Sequence, residues 1–600
     1  MQLNSLIGPV LDREKLKKSL SGARIPVKFE LYLHFCIVIT LLCAFGYMLL
    51  QLLFLVFDMP INLLPFLPSS LSNILVFVVL VAGIFFALLS YPSLVAKGRK
   101  TRIDLDLPYA ITYMEALSTN VTLYSLFKSV FEAEDLYGEV SQECGMIVRD
   151  VEAFGEDLLT AMRNLQKTTP SENLADLLND LALVFKTGGD MKEFFSSRSE
   201  RYREIARQEL ETTLQVMEMI AEVYVTAFVA GPIAIIIMLV AQNLSGRGQM
   251  AGVMPLMYIG LPLGAIALIV ILYYLLPSDN LTISRREIRE SEFTDDIIKK
   301  RPEEGHNLDF VKKLEERKKW LRVREILEHP FRFYISDYQV GLFIGMLLAL
   351  VAAGWYFTEG FAQVFPKYTI ETFICLLVIV LALPVLLAYE SRKIYSNKVE
   401  AQLPEFLRDI ADMKDVGMTL QGAVEMVSRS KIGVLSSELK IASEEMKWGY
   451  STSSALIRME ERIGLVSVKR AISLVVKASE ITDYLRDILT IAIGDLDHYL
   501  KMKLKRFNVS FVYLAVIYLS FGIFLYCAYQ LNDAFVASFR EMNVTFDITG
   551  NVQDMFRVGI IIGGFSGIMA GQLSSNNILA GLKHTVVFLL ASIALFVYIL

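Results

Sequence analysis

Long uncharged apolar runs alternate along this chain with charged, polar segments. An apolar run of 18 or more residues is long enough to cross the roughly 30 Å hydrocarbon core of a bilayer as a helix. Nine runs qualify, at residues 31–57, 73–95, 220–244, 252–276, 338–361, 369–389, 509–531, 556–573 and 578–600. The pattern predicts an all-α polytopic membrane protein with about nine transmembrane helices, in the cell membrane.

The basic residues predict the orientation of these spans, because loops rich in Lys and Arg stay in the cytoplasm. With a cytoplasmic N-terminus, the inside segments are 1–30, 96–219, 277–337, 390–508 and 574–583. They hold 6, 14, 14, 19 and 1 of the 58 Lys and Arg residues. The outside loops hold Arg247, Lys367, Arg540 and Arg557. This distribution predicts a C-terminus on the outside.

The same order of elements occurs twice along the chain. Each occurrence consists of two spans, a polar segment of about 120 residues and two more spans. A ninth span follows the second occurrence. Matching landmarks are Leu107-Pro108 with Leu403-Pro404, Thr122-Leu123 with Thr419-Leu420, Gly155 and Ala161 with Gly449 and Ala455, and Phe185-Lys186 with Val476-Lys477. We expect two parallel repeats that arose by duplication.

The repeats give a domain organisation with eight parts. These are a cytoplasmic N-terminus (1–30), two transmembrane helices (31–95), a first cytoplasmic helical bundle (96–219), two transmembrane helices (220–276), a basic cytoplasmic linker (277–337), two transmembrane helices (338–389), a second cytoplasmic helical bundle (390–508) and three transmembrane helices (509–600).

Both polar segments have the three- and four-residue apolar spacing that is typical of helices. Thr169 followed by Pro170 predicts a helix start with Thr169 as its cap, and Asp190 predicts a second start after Gly188-Gly189. Neither Gly nor Pro occurs from Asp190 to Ala230, and only two glycines interrupt 482–531. These stretches favour continuous helices of about 60 and 75 Å that run from the cytoplasm into the bilayer, over pairs of helices broken near the interface.

No motif for catalysis is present in the chain. The phosphate loop G-x-x-x-x-G-K-[ST] and the zinc motif H-E-x-x-H do not occur, and five scattered cysteines have no metal or disulfide spacing. Thr187-Gly188-Gly189-Asp190 superficially resembles the G-x-G-D of membrane aspartyl proteases, but a glycine helix cap followed by an aspartate cap explains it better. We therefore expect no enzyme activity, cofactor or metal of its own.

Ionisable residues of the predicted spans lie near span ends, including Glu371, Glu390, Lys583 and His584. Ion-coupled transporters usually keep such groups at mid-membrane, so a transporter or channel with parallel repeats is the weaker alternative.

Basic clusters give the cytoplasmic side a positive surface. The linker 277–337 contains Arg285, Arg286, Lys312, Lys313, Arg317, Lys318 and Lys319, and further basic residues lie at Arg201, Arg203, Lys501, Lys503, Lys505 and Arg506. One interpretation is a positive-inside flank with a solvated face. The other is an electrostatic docking surface for an acidic protein. Nucleic acid is not expected as a partner, because no aromatic stacking pattern accompanies the charges.

The duplicated segment resembles the type II secretion system F domain, on its leucine-proline start, its Gly and Ala spacing (155–161 and 449–455) and the turn motif Lys186-Thr187-Gly188-Gly189-Asp190. The second copy departs at this turn, since Lys477-Ala478-Ser479-Glu480 has no glycine pair. Two fused modules that end in Ala570-Gly571-Gln572-Leu573 and Gly581-Leu582-Lys583-His584 are similar to the archaeal flagellar assembly protein J family and its pilus relatives.

This resemblance implies a membrane platform of a type IV pilus-like machine, either an archaellum or another pilus. The implied partners are a cytoplasmic hexameric secretion ATPase, pilin or archaellin subunits, the lipid bilayer and a second copy in a homodimer. The nucleotide chemistry would belong to the ATPase.

Overall fold

A computed structural model describes residues 13–56, 69–119, 121–235, 237, 253–275, 317, 339–365, 367–430, 433–481, 485–532 and 548–600. Its regular structure in these ranges is entirely helical. In chain order the helices are α1 Arg13–Gly22, α2 Phe29–Val56, α3 Ser69–Leu117, α4 Leu123–Glu132, α5 Glu134–Glu152, α6 Leu158–Thr168, α7 Glu172–Thr187, α8 Met191–Val225, α9 Val253–Leu275, α10 Gln339–Tyr356, α11 Glu359–Val364, α12 Thr369–Asp415, α13 Leu420–Arg429, α14 Val434–Lys447, α15 Thr452–Ile463, α16 Val466–Ile481, α17 Arg486–Gln530, α18 Ile548–Ser575 and α19 Ile578–Ile593.

The described helices confirm an all-α polytopic membrane protein. Seven of them are long and apolar enough to cross a bilayer, and two shorter apolar helices, Met257–Leu272 and Gly341–Tyr356, lie in the fourth and fifth predicted spans. The fifth span is shorter than predicted, because its helix ends at Tyr356 and the separate helix α11 follows. The sequence-based count of nine spans is therefore approximate.

Six helices form each repeat in the same order, α3 to α8 in the first copy and α12 to α17 in the second. Corresponding helices have similar lengths, with 16 residues in both α7 and α16. The second helix of each copy is capped alike, since the Thr122 hydroxyl accepts a hydrogen bond from the Ser125 amide and the Thr419 hydroxyl accepts one from the Gly422 amide. The prediction of two similar helical bundles is confirmed.

Two details of the predicted repeat are wrong. Thr169 does not cap α7. Ser171 does, because its hydroxyl accepts a hydrogen bond from the Leu174 amide at 3.0 Å. The pairing of Phe185-Lys186 with Val476-Lys477 is displaced by three residues, nearly one helical turn, when positions are counted from the starts of α7 and α16. One turn of displacement preserves the apolar spacing, so sequence similarity alone did not reveal the error.

Continuous helices join the apolar and polar parts of each repeat, in agreement with the favoured prediction. The helix that starts at Met191 continues through a π-helical turn, Thr226–Ala230, to Ile235, and α17 extends over 45 residues. At 1.5 Å per residue each is about 68 Å long. Helices α3 and α12 are also continuous, with 49 and 47 residues, although Pro108 and Pro404 lie within them.

The chain forms two compact units. The first comprises Met1–Ala206 and Leu474–Asp495, and the second comprises Arg207–Ser473 and Leu496–Leu600. In the first, α1 and α5 pack against α3. Glu143 of α5 is fully buried there and accepts hydrogen bonds from Arg99 at 2.7 Å and from Arg24 at 2.8 Å. Burying these charges is tolerated because each is paired and hydrogen-bonded. Residues 474–495 contribute the pair Lys477–Glu132 at 3.3 Å.

The second unit has an aromatic core that suits a membrane helix bundle. Buried phenylalanines of α17, α18, α19 and the π-helical segment Ala594–Ile599 that follows α19 pack together. Phe521 lies against Phe588 at 4.6 Å and Phe556 against Phe596 at 5.2 Å between ring centroids. The buried Tyr224 hydroxyl lies 3.0 Å from the Ser566 hydroxyl. This core positions the polar groups described next.

Candidate functional site

The last two helices, α18 and α19, form a hairpin in which the two backbones touch. A Cβ atom placed on Gly571 would lie 2.0 Å from the backbone nitrogen of Gly581, and one on Gly567 would lie 2.2 Å from the hydroxyl of Thr585. Glycine is the only residue that allows this approach, as in small-residue packing between membrane helices. The two sequence motifs 570–573 and 581–584 therefore lie against each other.

A short polar turn closes this hairpin. Asn576 adopts a positive φ of 46°, and the side chain of Asn577 caps α19 by accepting a hydrogen bond from the Leu579 amide at 2.9 Å. Gln572 and Asn576 are buried, and the Gln572 amide donates to the Asn576 side-chain oxygen at 2.6 Å. The buried side chains of this turn thus bond to each other, while Gln572 Oε1 has no hydrogen-bond partner among the described residues.

Helices α12 and α17 are attached to this hairpin by polar contacts that we call the Glu390 layer. Its members are Glu390 and Lys393 of α12, Tyr518 of α17, Ser575 of α18, and Lys583 and His584 of α19. Lys583 pairs with Glu390 at 2.7 Å, the Lys393 ammonium donates to the Ser575 hydroxyl at 2.7 Å, and the Tyr518 hydroxyl lies 2.8 Å from His584 Nδ1. Four helices, α12, α17, α18 and α19, are thus fixed to one another at a single level.

A second group of contacts lies further along α12, within the second bundle. Glu400 is buried and accepts hydrogen bonds from the Lys503 ammonium at 2.6 Å, the Ser467 hydroxyl at 2.9 Å and the Tyr499 hydroxyl at 3.3 Å. Glu400 precedes Pro404 by four residues, so the proline leaves the Glu400 carbonyl without its usual helical donor. The side-chain contacts hold α12 to α16 and α17 beside this defect.

At the other end of the α12 span, a matching set of contacts forms the Glu371 layer. Buried Glu371 accepts hydrogen bonds from Gln553 at 2.7 Å and from Arg557 at 2.9 Å, and the Tyr258 hydroxyl donates to Asp554 at 2.8 Å. Glu371 and Glu390 are about 29 Å apart along the helix. That separation is close to the roughly 30 Å thickness of the hydrocarbon core of a bilayer.

This spacing explains why ionisable residues lie at the span ends in the sequence. Between the layers, the described parts of α12, α18 and α19 contain no charged side chain, and at each boundary a carboxylate of α12 pairs with a basic side chain of the α18–α19 hairpin. The described residues also contain no cluster of three or more His, Cys, Asp or Glu side chains that would hold a metal ion.

The predicted docking residues fall into three groups. Most of the linker residues lie outside the described part of the chain, namely Arg285, Arg286, Lys312, Lys313, Lys318 and Lys319. Arg317 is described, and its side chain is exposed. Arg201 and Lys501 are exposed, and Arg506 is half-buried. The remaining three take part in contacts within the chain, Arg203 with Thr112 at 3.4 Å, Lys503 with Glu400, and Lys505 with Glu211.

The turn motif is an exposed helix-to-helix connection. Gly188 ends α7 with a positive φ of 69°, and the Gly189 amide donates to the Val184 carbonyl at 3.0 Å, which is a glycine helix cap. Asp190 accepts a hydrogen bond from the Lys192 amide at 2.8 Å, as its predicted role as a cap requires, and exposed Lys186 lies in the last turn of α7. The equivalent turn of the second copy includes 482–484, which lie outside the described residues.

Comparison with known families identifies the two helical repeats. The family model for type II secretion system (T2SS), protein F, matches residues 112–239 and 406–529. The chain carries two type II secretion system F domains. Each match begins in the long helix that opens a repeat, α3 or α12. The second match ends in α17, and the first ends at residue 239, which lies outside the described residues. Proteins of this family are membrane platform proteins.

Two relatives come from Methanocaldococcus jannaschii. An uncharacterized protein is 26% identical over 531 residues, which cover 87% of this chain and 83% of the relative. Flagella accessory protein J is 27% identical over 166 residues, or 28% of this chain and 30% of that protein. No solved structure matches the chain. The sequence resemblance to both the F domain and flagellar protein J is confirmed.

Sequence reasoning missed half of the six residues in the Glu390 layer. It singled out Glu390, Lys583 and His584 as span-end residues, but not Lys393, Tyr518 and Ser575. A tyrosine or a serine in an apolar run is ordinary, and no spacing rule connects residues of α17 with residues of α19. The one available signal was the surplus of charges at span ends, since each buried charge requires a partner.

Proposed function

We propose that this protein is the membrane platform of an archaeal type IV pilus-like machine, an archaellum or a pilus. In this role it couples a cytoplasmic hexameric secretion ATPase to the assembly of pilin or archaellin subunits. The observation that carries the proposal is the pair of F domains whose first and last helices continue without a break into apolar spans.

The proposed coupling depends on the stiffness of a continuous helix. A displacement imposed on the polar end of α12 is carried along a continuous helix to the Glu390 layer, which fixes α12 to the α18–α19 hairpin. A flexible connection at this level would dissipate the motion. Coupling of this kind needs no catalytic group in the chain, so the proposal places nucleotide hydrolysis in the ATPase.

The proposal includes an orientation in the cell membrane. Both bundles and the N-terminus lie in the cytoplasm and the C-terminus lies outside, because 54 of the 58 basic residues then face inward. In this orientation the Glu390 layer is at the cytoplasmic boundary. The Glu371 layer is at the outer one, and there Lys367 donates to the Leu600 carbonyl at 2.8 Å. A homodimer is part of the proposal on family grounds.

The test is binding of the secretion ATPase from the same organism to the full-length protein in lipid nanodiscs. We expect binding that weakens with salt, because basic docking residues act over a Debye length of about 8 Å at physiological salt. Reversal of four linker lysines to glutamate should weaken binding without affecting membrane insertion, at Lys312, Lys313, Lys318 and Lys319. Absence of any binding by the wild type would contradict the proposed function. Equal binding and salt dependence in the variant would show that the linker is only a topology signal.

A further inference from the structure

Both F domains expose an aromatic side chain at the same position of the repeat. Phe154 is 67% exposed and Trp448 is 84% exposed. Each lies four residues before the start of the fourth helix of its copy, α6 or α15, and each is followed by a glycine with positive φ. Recurrence of the same feature in two copies of one chain indicates a role beyond chance exposure.

The backbone of each turn holds its aromatic residue outward. Gly155 and Gly449 have φ values of 67° and 97°, a conformation that side chains other than glycine rarely adopt. The following helix is capped in both copies, by Asp157 in the first and by Ser451 in the second. The turn is therefore fixed on both sides while its aromatic ring stays in solvent.

In the first copy, this turn lies at the end of the bundle that is far from the span of α3. Glu152, two residues before Phe154, accepts hydrogen bonds from Tyr124 and from Lys128 near the start of α4. Helix α4 begins shortly after α3 ends at Leu117. Lys97 is the first charged residue after the apolar stretch of α3, and Leu117 is about 30 Å further along the helix. A lipid surface does not reach this end.

The second copy has the same geometry. The Leu435 amide at the start of α14 donates to the Gln402 side chain of α12 at 3.0 Å, which sets the two helices at one level. From there α14 extends about 18 Å to Lys447, and α12 extends about 20 Å to its end at Asp415. Trp448 thus lies near the far end of α12, together with Val416, which is 84% exposed.

The turn that carries Phe154 is rich in acidic residues. The nine residues 149–157 contain four acidic residues and one basic residue, Arg149, whose guanidinium lies 5.4 Å from the Phe154 ring centroid and pairs with Asp150. Hydrogen bonds from Tyr124 and Lys128 lower the pKa of Glu152, so this carboxylate stays charged at neutral pH. In the second copy the charges near Trp448 are balanced, because Glu444 pairs with Lys447 at 2.9 Å and Glu445 pairs with Arg462 at 2.8 Å.

We infer that Phe154 and Trp448 are anchor residues that insert into apolar pockets, bordered by basic side chains, on the cytoplasmic ATPase. Exposed aromatic residues are the commonest binding hot spots of protein interfaces, and a soluble protein is the class of partner that reaches the far end of the bundles. The inference rests on the proposed function. It adds the contact residues and reverses the charge expected next to Phe154, since the partner would meet an acidic turn there as well as basic helices.

The experiment compares ATPase binding to full-length variants in nanodiscs. We expect a tenfold or greater loss of affinity for the double variant Phe154→Ser with Trp448→Ser, and wild-type affinity for Phe154→Trp with Trp448→Phe, which keeps both aromatic anchors. Met426→Ser is the matched control, because Met426 is 50% exposed on α13 away from the turn. Circular dichroism and elution volume confirm that each variant is folded.

The outcomes separate the two proposals. If the wild type binds the ATPase and the double serine variant binds equally well, the anchor assignment is wrong while the proposed function stands. If the wild type does not bind, the proposed function itself fails. If the serine substitutions instead dissociate a homodimer, measured by light scattering, the turns contact a second copy of this chain and the ATPase is not their partner.

Discussion

Replacement of Lys503 by methionine tests whether the buried Glu400 carboxylate depends on its ion pair. The Glu400 side chain is 7% exposed and the Lys503 side chain 32% exposed, with 2.6 Å between the charged atoms. Removing one partner of a buried pair commonly costs 3–5 kcal/mol, because the other charge is left without compensation. Here the hydroxyls of Ser467 and Tyr499 still donate to Glu400, and lysine is partly solvated, so we expect about 2 kcal/mol.

The assay is hydrogen–deuterium exchange of the full-length protein in nanodiscs, read from peptides that cover 396–410 and 496–508. A loss of about 2 kcal/mol should speed exchange there by about 30-fold, because 1.4 kcal/mol corresponds to a factor of ten. The matched control is Arg429→Met, which removes an exposed pair with Glu425 of similar length, 2.8 Å. We expect less than a threefold change for the control.

A double variant completes the argument. Glu400→Leu with Lys503→Met removes both charges, so most of the protection should return. Two results would refute the reasoning: exchange in Lys503→Met that is no faster than in the control, or a double variant that exchanges as fast as Lys503→Met. The second would show that packing of the lysine stem, rather than an unpaired charge, holds α12 to α17.

Two further predictions concern the hairpin and a buried thiol. Gly571→Ala should lower the free energy of unfolding by about 2 kcal/mol or more, because the added Cβ meets the Gly581 backbone. Gly564→Ala on the same helix is the control, because its Cβ meets open space. Equal shifts of the melting temperature in detergent for the two variants would contradict the contact. Cys144 is buried, and burial raises the pKa of its thiol. A water-soluble maleimide should therefore leave it unmodified in the folded protein, even when the pH rises from 7 to 9. The same reagent should modify Cys144 once the protein is denatured in SDS. Rapid labelling of Cys144 before denaturation, located by peptide mass spectrometry, would show that the helix core opens.

The sequence by itself determined the features that depend on local physical rules. Apolar runs predicted the membrane spans because the bilayer sets a minimum length, and the absence of Gly and Pro from 190–230 predicted a continuous helix. The repeat was visible because Leu-Pro, Thr-Leu and Gly landmarks recur at similar spacing. The turn at Gly188 was predicted correctly since a glycine cap followed by an aspartate cap is encoded within three residues.

Only the tertiary structure decided which distant residues meet. Nothing in the local sequence links Glu390 with Lys583, Glu371 with Arg557 or Glu400 with Lys503. A charge near a span end requires a partner, but many candidates satisfy that requirement, and packing selects one. The same limit explains why the ion pairs that Lys503 and Lys505 form within the chain could not be predicted from the sequence. Exposure, like pairing, depends on the neighbours that folding brings, so Phe154 and Trp448 became distinguishable from core aromatics only once their turns were placed in space.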